Sequence, residues 1–291
     1  SSMLKKYMAA MHFLHYTIPN WMKLIKNTPK IWIKKFPWKK KSSNKYSRGR
    51  VLILGGQKHM IGATILAAEA CLRVGVGSVK IICNKETIKI LSLKFPSVLK
   101  VEINNISYLK SFLKKERKTT SVALVGPGAG SNSKTMKFTE EILKQIKYVI
   151  LDADALNSFQ HKTKKLLKYL DKFKLITPHK KEFHRLFPSI KTSLKDKEKV
   201  FKFIKLCKSN ILLKGNTTLI GSNKKIIKNT HSSSELAVIG SGDVLAGIIA
   251  SLVGDNKMSI IEAAAAAAWL HGDIARKYGK GLISEDLIKG I

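Results

Sequence analysis

Residues 236–247 read Leu236-Ala-Val-Ile-Gly-Ser-Gly-Asp-Val-Leu-Ala-Gly247, a glycine-rich turn and one aspartate placed directly before an apolar stretch that favours a helix. The first N–H groups of a helix have no partner within the helix and lie at the positive end of its dipole, so they attract anions. Gly240 and Gly242 lack a Cβ, which lets the backbone approach a phosphate closely. A carboxylate does not help to hold an anion, so we interpret Asp243 as a base that takes a proton from a substrate hydroxyl. The alternative is an aspartate that only caps the helix.

Outward from this run, the chain alternates short apolar segments with helical patterns. The alternation predicts strands over residues 51–54, 78–83, 121–125, 148–151, 174–177 and 211–213, a hairpin over 217–220 and 225–227, and helices over 62–74, 134–146, 181–187, 242–253 and 260–278. Short, continuous apolar strands between helices are typical of a parallel sheet covered on both faces. We therefore predict an α/β fold in one domain, with a central, mostly parallel sheet and helices on both faces.

Glycines and polar residues directly follow five of the predicted strands. They are Gly55-Gly56, Gly126-Pro-Gly-Ala-Gly130, Asp152-Ala-Asp154, Thr177-Pro-His179 and Lys214-Gly215. In a parallel sheet the carboxyl ends of the strands share one edge, and ligands bind there. We expect these loops and the glycine turn of residues 240–243 to form one crevice.

Composition and cysteine usage limit the class of protein. The 291 residues, 44% of them hydrophobic, are enough for one large α/β domain with an ample core. No stretch of about 18 uncharged apolar residues occurs, so we expect no membrane span. Cys71, Cys83 and Cys207 lack metal-ligand spacing and lie in apolar contexts. Reduced, buried thiols are typical of a cytoplasmic protein, which is the location that we predict.

The formal net charge of +35 is carried almost entirely by lysine. Proteins that read nucleic acid usually depend on arginine, whose planar guanidinium binds bases and phosphates in pairs of hydrogen bonds. The lysines are spread over most of the predicted helices and form no single stripe, which favours solvated faces. We predict no nucleic-acid partner, although the charge helps to attract a polyanionic substrate.

A basic, aromatic leader that includes Trp21 and Trp32 precedes the first acidic residue, Glu69. It has no clean small-residue cleavage site and no arginine before Arg48, so it does not resemble a signal or transit peptide. We expect residues 1–35 to be an irregular or helical extension that packs on the domain of residues 36–291. Attachment to a membrane surface is the alternative for this extension.

The quoted motifs, taken together, make the chain similar to the ADP- or ATP-dependent NAD(P)H-hydrate dehydratases, a family with the ribokinase-like fold. The matching runs occur in the family's order and cover about residues 36–291. They are Gly49-Arg-Val-Leu-Ile-Leu-Gly-Gly56, Gly62-Ala-Thr-Ile-Leu-Ala-Ala68, Gly126-Pro-Gly-Ala-Gly130, Asp152-Ala-Asp-Ala-Leu-Asn157, Thr177-Pro-His179 with Glu182, Lys214-Gly215 with Thr218, Gly240-Ser-Gly-Asp-Val-Leu-Ala-Gly247 and His271-Gly272.

The resemblance implies a lyase that repairs hydrated NADH and NADPH. A hydroxyl on the reduced nicotinamide ring is phosphorylated by ADP or ATP with Mg²⁺, and phosphate then leaves to restore the double bond. Phosphate is a good leaving group at neutral pH and hydroxide is a poor one. Such a reaction needs a base for the hydroxyl and an anion site for the transferring phosphoryl group. The resemblance places the base at Asp243, in agreement with our interpretation of the glycine turn.

The resemblance also implies roles for residues in the other loops. The nucleotide and its phosphates are expected at Lys214, Gly215, Asn216, Thr217, Thr218, Gly240, Ser241 and Gly242. The hydrated dinucleotide is expected at Ala63, Gly128, Asn157, His179 and Asp243. No residue is a certain metal ligand, and Asp152 and Asp154 are expected either to hold Mg²⁺ through water or to position a ribose.

Several of these residues also have a purely structural interpretation. Lys214 is then a lysine at a strand end, Gly128 a helix-entry turn and Ala63 a helix-packing residue. His179 and Asp154 are then helix caps or surface residues. The chain departs from the family pattern at Met60-Ile61, at Lys180-Lys181 and at Ser232-Ser-Ser-Glu235, where the family has Tyr-Thr, Pro-Gly and a loop that contains Asn-Pro.

Two other functions remain open at this stage. One is a small-molecule alcohol kinase of the same fold, and the other is a catalytically degenerate basic binding protein. If the chain is a dehydratase, we expect a homo-oligomer, with a tetramer as one arrangement, and a separate epimerase, because the chain has no room for a fused one. The sequence does not choose between ADP and ATP.

Overall fold

The computed structural model describes residues 18–20, 22–38, 44–255 and 257–291. Within these ranges the chain forms a ten-stranded sheet in the order β1-β10-β9-β8-β7-β6-β5-β2-β3-β4. Among these strands β9 runs antiparallel to its two neighbours, and every other pairing is parallel. The strands are β1 (Lys23–Lys26), β2 (Arg50–Leu54), β3 (Ser78–Cys83), β4 (Leu99–Glu102), β5 (Val122–Val125), β6 (Val149–Leu151), β7 (Lys174–Ile176), β8 (Asn210–Leu213), β9 (Thr218–Ser222) and β10 (Lys225–Asn229).

Helices connect most of these strands and follow the last of them. They are α1 (Ile61–Val74), α2 (Lys85–Lys94), α3 (Ile106–Glu116), α4 (Ser133–Gln145), α5 (Ala153–Asn157), α6 (Thr163–Leu167), α7 (Lys180–Leu186), α8 (Asp196–Cys207), α9 (Ser241–Gly254), α10 (Ile260–Tyr278) and α11 (Ser284–Lys289). Short 3₁₀ turns lie at Pro29–Ile31, Ile33–Lys35, Lys58–Met60 and Ser234–Leu236.

The sheet is covered on both faces because alternate side chains of each strand point to opposite sides. In β2, Val51 and Ile53 belong to one buried cluster, and Leu52 and Leu54 belong to the other. Helices α1, α9 and α10 supply much of the first cluster, and α3, α4, α7 and α8 supply much of the second. The predicted α/β fold with a mostly parallel sheet and helices on both faces is confirmed.

Helix α9 begins with the glycine turn and is buried along most of its length. It packs between α1 and α10, whose facing residues are largely alanine. Small side chains let helix axes approach closely, and close packing fixes the direction in which a helix points. The N-terminus of α9 is therefore held rigidly at the carboxyl edge of the sheet.

The N-terminal segment needs one correction. We expected residues 1–35 to be irregular or helical, but Lys23–Lys26 is an edge strand that pairs in parallel with β10. Trp32, which lies in the same segment, is buried against the core. Residues 1–17 and Trp21 lie outside the described residues, and the division of the chain at residue 35 stays a prediction. The strand was missed because it is short and carries lysine at both ends, as suits a solvated sheet edge.

Two of the three cysteines have the burial that their apolar contexts predict. All three cysteines are free, with Cys71 and Cys83 buried and Cys207 half-buried. No helix in the described ranges is both long enough and apolar enough to cross a bilayer.

Candidate functional site

The glycine turn forms a helix N-terminus that is open to a ligand. Gly240 has a φ of 88° and precedes the first residue of α9, Ser241. The Ser241 N–H donates to the carbonyl oxygen of Val238 at 3.4 Å. The N-cap residue Gly240 makes no side-chain cap, so among the described residues the N–H groups of Gly242 and Asp243 remain available to an anion. Asp243 lies in the first turn and not at the cap. The interpretation of Asp243 as a simple helix cap is therefore wrong.

Asp243 lies in a crowded acidic environment. Burial raises the pKa of its carboxyl, and the negative charge of Asp152 raises it further. Lys214 opposes this effect, while Asp154 and Glu182 add to it, and the resulting pKa is about 7. A carboxyl with a pKa near neutrality can accept a proton and release it again at physiological pH. The carboxylate therefore has the electrostatics of a general base.

Lys214 provides the positive charge of the site. Its Nζ donates to Asp152 Oδ1 at 2.8 Å, and the Thr177 hydroxyl donates to the same oxygen at 2.8 Å. Burial acts to lower the pKa of Lys214, but the carboxylates of Asp152 and Glu182 outweigh burial and raise it. A Cβ added to Gly242 would lie 3.4 Å from Lys214 Nζ. The structure thus places a cation directly against the glycine turn, beside the N-terminus of α9.

A pocket of about 490 Å³ opens beside this cation and the glycine turn. Residues from four separate segments line it, and they include many of those singled out from the sequence. The lining consists of His179, Lys214, Gly215, Asn216, Thr218, Ser232, Ser233, Ser234, Leu236, Ala237, Val238, Ser241, Gly242, Leu245 and His271. The volume lies in the range of pockets that bind small molecules and cofactors.

His179 both caps a helix and lines this pocket. Its Nδ1 accepts from the backbone N–H of Glu182 at 3.2 Å, and Glu182 Oε2 accepts from the backbone N–H of His179 at 2.9 Å. The structural interpretation of His179 as a cap is confirmed. About half of its side chain is exposed, so it remains accessible to a ligand. Burial lowers the pKa of the ring, partly opposed by Glu182, so the histidine is neutral at physiological pH.

Four residues assigned to the dinucleotide do not line the pocket, namely Gly128, Ala63, Asn157 and Asp243, although the two residues before Asp243 do line it. Gly128 has a φ of 64° and packs against the carbonyl oxygen of Met60. Ala63 lies half-buried in the first turn of α1. Asn157 Oδ1 accepts from Arg185 Nη2 at 3.0 Å. Gly128 lies near the start of α1, so it and Ala63 belong to a neighbouring part of the carboxyl edge, while Asn157 is engaged elsewhere.

The described residues contain no cluster of three or more histidine, cysteine or carboxylate side chains that suits a metal ion. One oxygen of Asp152 is taken by Lys214 and Thr177, and Asp154 Oδ2 accepts from the backbone N–H of Gly130 at 2.9 Å. Each carboxylate keeps its other oxygen. This donor set suits Mg²⁺ held mainly by phosphate and water, which is how Mg²⁺ commonly binds in phosphoryl-transfer sites.

Sequence reasoning gave no role to two buried residues of this site. Glu182 is 5% exposed and lies close enough to affect the pKa values of Asp243 and Lys214. His271, on α10, lies 3.0 Å from the carbonyl oxygen of Ser241. Both residues appeared in the runs shared with the dehydratase family. A role for them depends on contacts between distant segments, which spacing along the chain does not reveal.

Comparison with solved structures places the fold in one class, that of the ribokinase-like proteins. The structure matches a ribokinase-like superfamily protein from Enterococcus faecalis with a TM-score of 0.80 and 23% identity, over 94% of this chain and 95% of that one. It also matches an ADP/ATP-dependent NAD(P)H-hydrate dehydratase from Bacillus subtilis, co-crystallised with ATP and Mg²⁺, with a TM-score of 0.76 and 22% identity, over 92% of this chain and 96% of that one. These similarities confirm the predicted ribokinase-like fold.

Within that class, the chain belongs to the NAD(P)H-hydrate dehydratase family, whose sequence model matches residues 51–285. It is 32% identical over 248 residues to the ADP-dependent (S)-NAD(P)H-hydrate dehydratase of Neisseria meningitidis, covering 82% of this chain and 80% of that protein. The enzyme of the same name from Staphylococcus aureus is 30% identical over 252 residues, covering 84% and 87%. The bifunctional NAD(P)H-hydrate repair enzyme of Dictyoglomus turgidum is 30% identical over 268 residues, and the chain spans 51% of its length. The family resemblance is confirmed.

Proposed function

We propose that this chain repairs hydrated NADH and NADPH by a nucleotide-dependent dehydration. Asp243 takes the proton of the ring hydroxyl, and the hydroxyl oxygen attacks the terminal phosphorus of the nucleotide. The bond between that phosphorus and the bridging oxygen breaks. AMP is released when ADP is the donor, and ADP is released when ATP is the donor. The ring carbon–oxygen bond then breaks, inorganic phosphate departs, and a proton lost from the neighbouring ring carbon restores the double bond.

One observation carries the proposal, namely the placement of Asp243 next to both a cation and an open helix N-terminus. A base and an anion site must meet at the transferring phosphoryl group. Lys214 Nζ lies against Gly242, in the first turn of α9, and Asp243 follows Gly242 in that same turn. The pKa of about 7 lets the carboxylate take the proton without a large energetic penalty.

The nucleotide phosphates are assigned to Lys214, Ser241 and Gly242. The loop of Gly215, Asn216, Thr217 and Thr218 is assigned to the rest of the nucleotide, and of these four residues Thr217 alone does not line the pocket. Mg²⁺ would be held by the phosphates and water, with Asp152 and Asp154 able to accept hydrogen bonds from that water. When bound, the ion supplies positive charge to the phosphates. We propose ADP as the donor, because the two single-domain relatives described above are named ADP-dependent.

The hydrated ring is assigned to the space between Asp243 and His179, and Ala63 and Gly128 provide a neighbouring surface for the rest of the dinucleotide. Asn157 is a weaker candidate, because Arg185 already occupies its side-chain oxygen. A homo-oligomer, a cytoplasmic location and an epimerase supplied by another protein stay predictions.

The test is a spectroscopic assay for the product. Purified protein and Mg²⁺ are added to hydrated NADH, with ADP and ATP in separate reactions, and the absorbance of reduced nicotinamide is followed together with the release of inorganic phosphate. A dehydratase produces NADH and phosphate in equal amounts and only with nucleotide present. An alcohol kinase instead accumulates a phosphorylated product and releases no phosphate, and that result would replace the proposal.

The pH dependence of the reaction should follow the carboxyl of Asp243. We expect kcat/KM to rise with pH through a single ionisation near pH 7 and then to level off, since burial, together with Asp152, raises this pKa to about 7 and only the carboxylate accepts the proton. Burial lowers the pKa of His271 to about 4 and also lowers that of His179, so neither ring explains an ionisation near pH 7. Initial rates across neutral pH test this. A rising limb centred near the ordinary aspartate pKa would exclude Asp243 as a base with a raised pKa.

Replacement of Lys214 by alanine should weaken binding of the nucleotide far more than binding of the dinucleotide. A hydrogen bond to a charged group contributes about 1.5–3 kcal/mol, so we expect KM for the nucleotide to rise by about ten- to a hundredfold. The KM for hydrated NADH should rise much less, because the ring is assigned to Asp243 and His179 and no hydrogen bond from Lys214 to it is proposed. Lys224→Ala removes the same charge from the exposed β9–β10 turn and serves as the control. If Lys214→Ala weakens only the dinucleotide, the two binding sites are reversed.

A further inference from the structure

Helix α10 holds the loop that precedes the glycine turn at both of its ends. At one end, His231 stacks on Trp269, with ring centroids 4.4 Å apart, and its Nε2 lies 3.0 Å from Asp273 Oδ1. The carbonyl oxygen of His231 packs so closely against Gly272 that a Cβ there would lie 1.9 Å from it. At the other end, His271 contacts Ser241. The residues between these ends form one wall of the pocket, so contacts with α10 fix the position of that wall.

The contact of His271 with Ser241 has a defined direction. The ring Nε2 lies 3.0 Å from the carbonyl oxygen of Ser241 and 3.2 Å from its hydroxyl oxygen. A carbonyl oxygen can only accept, so Nε2 carries the proton and donates it. The same N–H also reaches the hydroxyl oxygen, which accepts in turn. The hydroxyl proton of Ser241 is therefore not consumed by His271 and stays available to another acceptor.

The protonation state of His271 is fixed by its surroundings. The ring is 5% exposed, and burial lowers its pKa to about 4, with a smaller contribution from the positive charge of Lys214. The ring is therefore neutral at physiological pH and adds no charge to the anion site. A donor that polarises a hydroxyl group strengthens the next hydrogen bond in the chain. His271 is thus suited to orient the Ser241 hydroxyl as a donor.

The Ser241 hydroxyl belongs to a residue that lines the pocket, so a ligand in the pocket is the acceptor within its reach. Ser241, Gly242, Lys214 and His271 all line the pocket, and Ser241 is the first residue of α9. We propose that His271 is a positioning residue, which acts through Ser241 to present the serine hydroxyl and the start of α9 to the nucleotide phosphates. The proposal rests on the proposed function, because it takes the glycine turn as the phosphate site. It adds His271 as a residue that acts on the phosphates without touching them.

Two amide substitutions separate a positioning role from simple packing. His271→Gln can place a donor near the position of Nε2, whereas His271→Asn is too short and places its donor near Nδ1. We expect His271→Gln to bind ADP within about twofold of the unaltered protein. His271→Asn should raise the Kd for ADP about tenfold, as expected for loss of one hydrogen bond to a charged group. Calorimetric titration with ADP and Mg²⁺ measures both values, and thermal unfolding shows that both variants fold.

A double-mutant cycle tests whether His271 acts through Ser241. Ser241→Ala should raise the Kd for ADP about tenfold, and adding His271→Asn should raise it by no more than about twofold further, because coupled residues are not additive. The KM for hydrated NADH should stay within about twofold in every variant, whereas a collapsed pocket would raise it as well.

Three results would each overturn the proposal. They are an equal rise in the Kd for ADP in the glutamine and asparagine variants, additive rises in the double variant, and no binding of ADP to the unaltered protein. The readout is ADP binding and does not need turnover. A protein that binds ADP in this pattern but forms no NADH would therefore contradict the proposed function and leave the positioning role supported.

Discussion

Replacing Asp243 with asparagine is expected to abolish the formation of NADH. General base catalysis contributes about a hundred- to ten-thousandfold to rate, so we expect kcat/KM to fall by at least about a hundredfold. Asparagine has nearly the same shape but cannot take a proton at neutral pH. The Kd for ADP should change little or decrease, because the substitution removes a negative charge beside the phosphates. Rates of NADH formation and calorimetric titration with ADP measure the two quantities on the same protein.

The same substitution is expected to stabilise the fold at high pH. Burial, with Asp152 next, raises the pKa of Asp243 from its ordinary 3.8 to about 7. The folded protein therefore binds a proton that the unfolded chain has already lost, so this carboxyl makes the folded state less stable as pH rises from about 4 to 7. Asparagine lacks this penalty. The gain in Tm of Asp243→Asn should thus be larger at a pH of about 8 than at about 5.

Asp171→Asn is the matched control for turnover. Asp171 lies just before β7, at the amino-terminal edge of the sheet, and about half of its side chain is exposed. Its replacement should leave turnover close to that of the unaltered protein. Retention of full turnover by Asp243→Asn would remove this residue from its role as the base and would leave the acidic environment without a catalytic explanation.

The central strands could be predicted from the sequence, and the edge strands could not. After Arg50, strand β2 is an uninterrupted apolar run with both faces buried, and such a run is visible in the sequence alone. Strands β1 and β4 lie at the two edges of the sheet and expose part of their side chains, including Leu24 and Leu99. An edge strand carries a weak apolar pattern because only part of it faces the core. Its pairing depends on a partner that is distant in the chain, as β1 depends on β10.

The positions of the site loops followed from the sheet, but the pairing of their side chains did not. Each loop after a parallel strand reaches the same edge of the sheet, so the sequence predicts that Asp152, Lys214 and Asp243 lie near one another. It could not show that Asp152 accepts from Lys214 across 62 positions of the chain. Nor could it show that His271 contacts Ser241, since that contact depends on how α10 packs against α9. The spacing of residues along the chain indicates which functional side chains the loops carry. The packing of helices and strands determines which of those side chains form hydrogen bonds with each other.

The close approach of the loops after β5 and β6 explains why residue 126 must be glycine. Gly126 has a φ of 130°, and a Cβ at this position would lie 1.7 Å from the carbonyl oxygen of Asp152 and 3.1 Å from the backbone nitrogen of Ala155. Both contacts are to backbone, which cannot rotate away as a side chain can. Any side chain at residue 126 would therefore push apart the two loops that carry Asp152 and the glycine-rich run of residues 126–130.

Gly126→Ala is accordingly expected to lower the free energy of unfolding by at least about 4 kcal/mol, the range reached by substitutions that combine backbone strain with overpacking. For a chain of this size that loss corresponds to a fall in Tm of roughly 10 °C, or to no folded protein at all. Gly62→Ala is the control, because a Cβ there meets nothing within 4 Å and alanine favours the helix by up to about 1 kcal/mol over glycine. Thermal and denaturant unfolding of the two variants measure the difference. If Gly126→Ala unfolds at the same temperature as Gly62→Ala, the two loops are not in contact, and the fixed position of Asp152 beside Lys214 needs another cause.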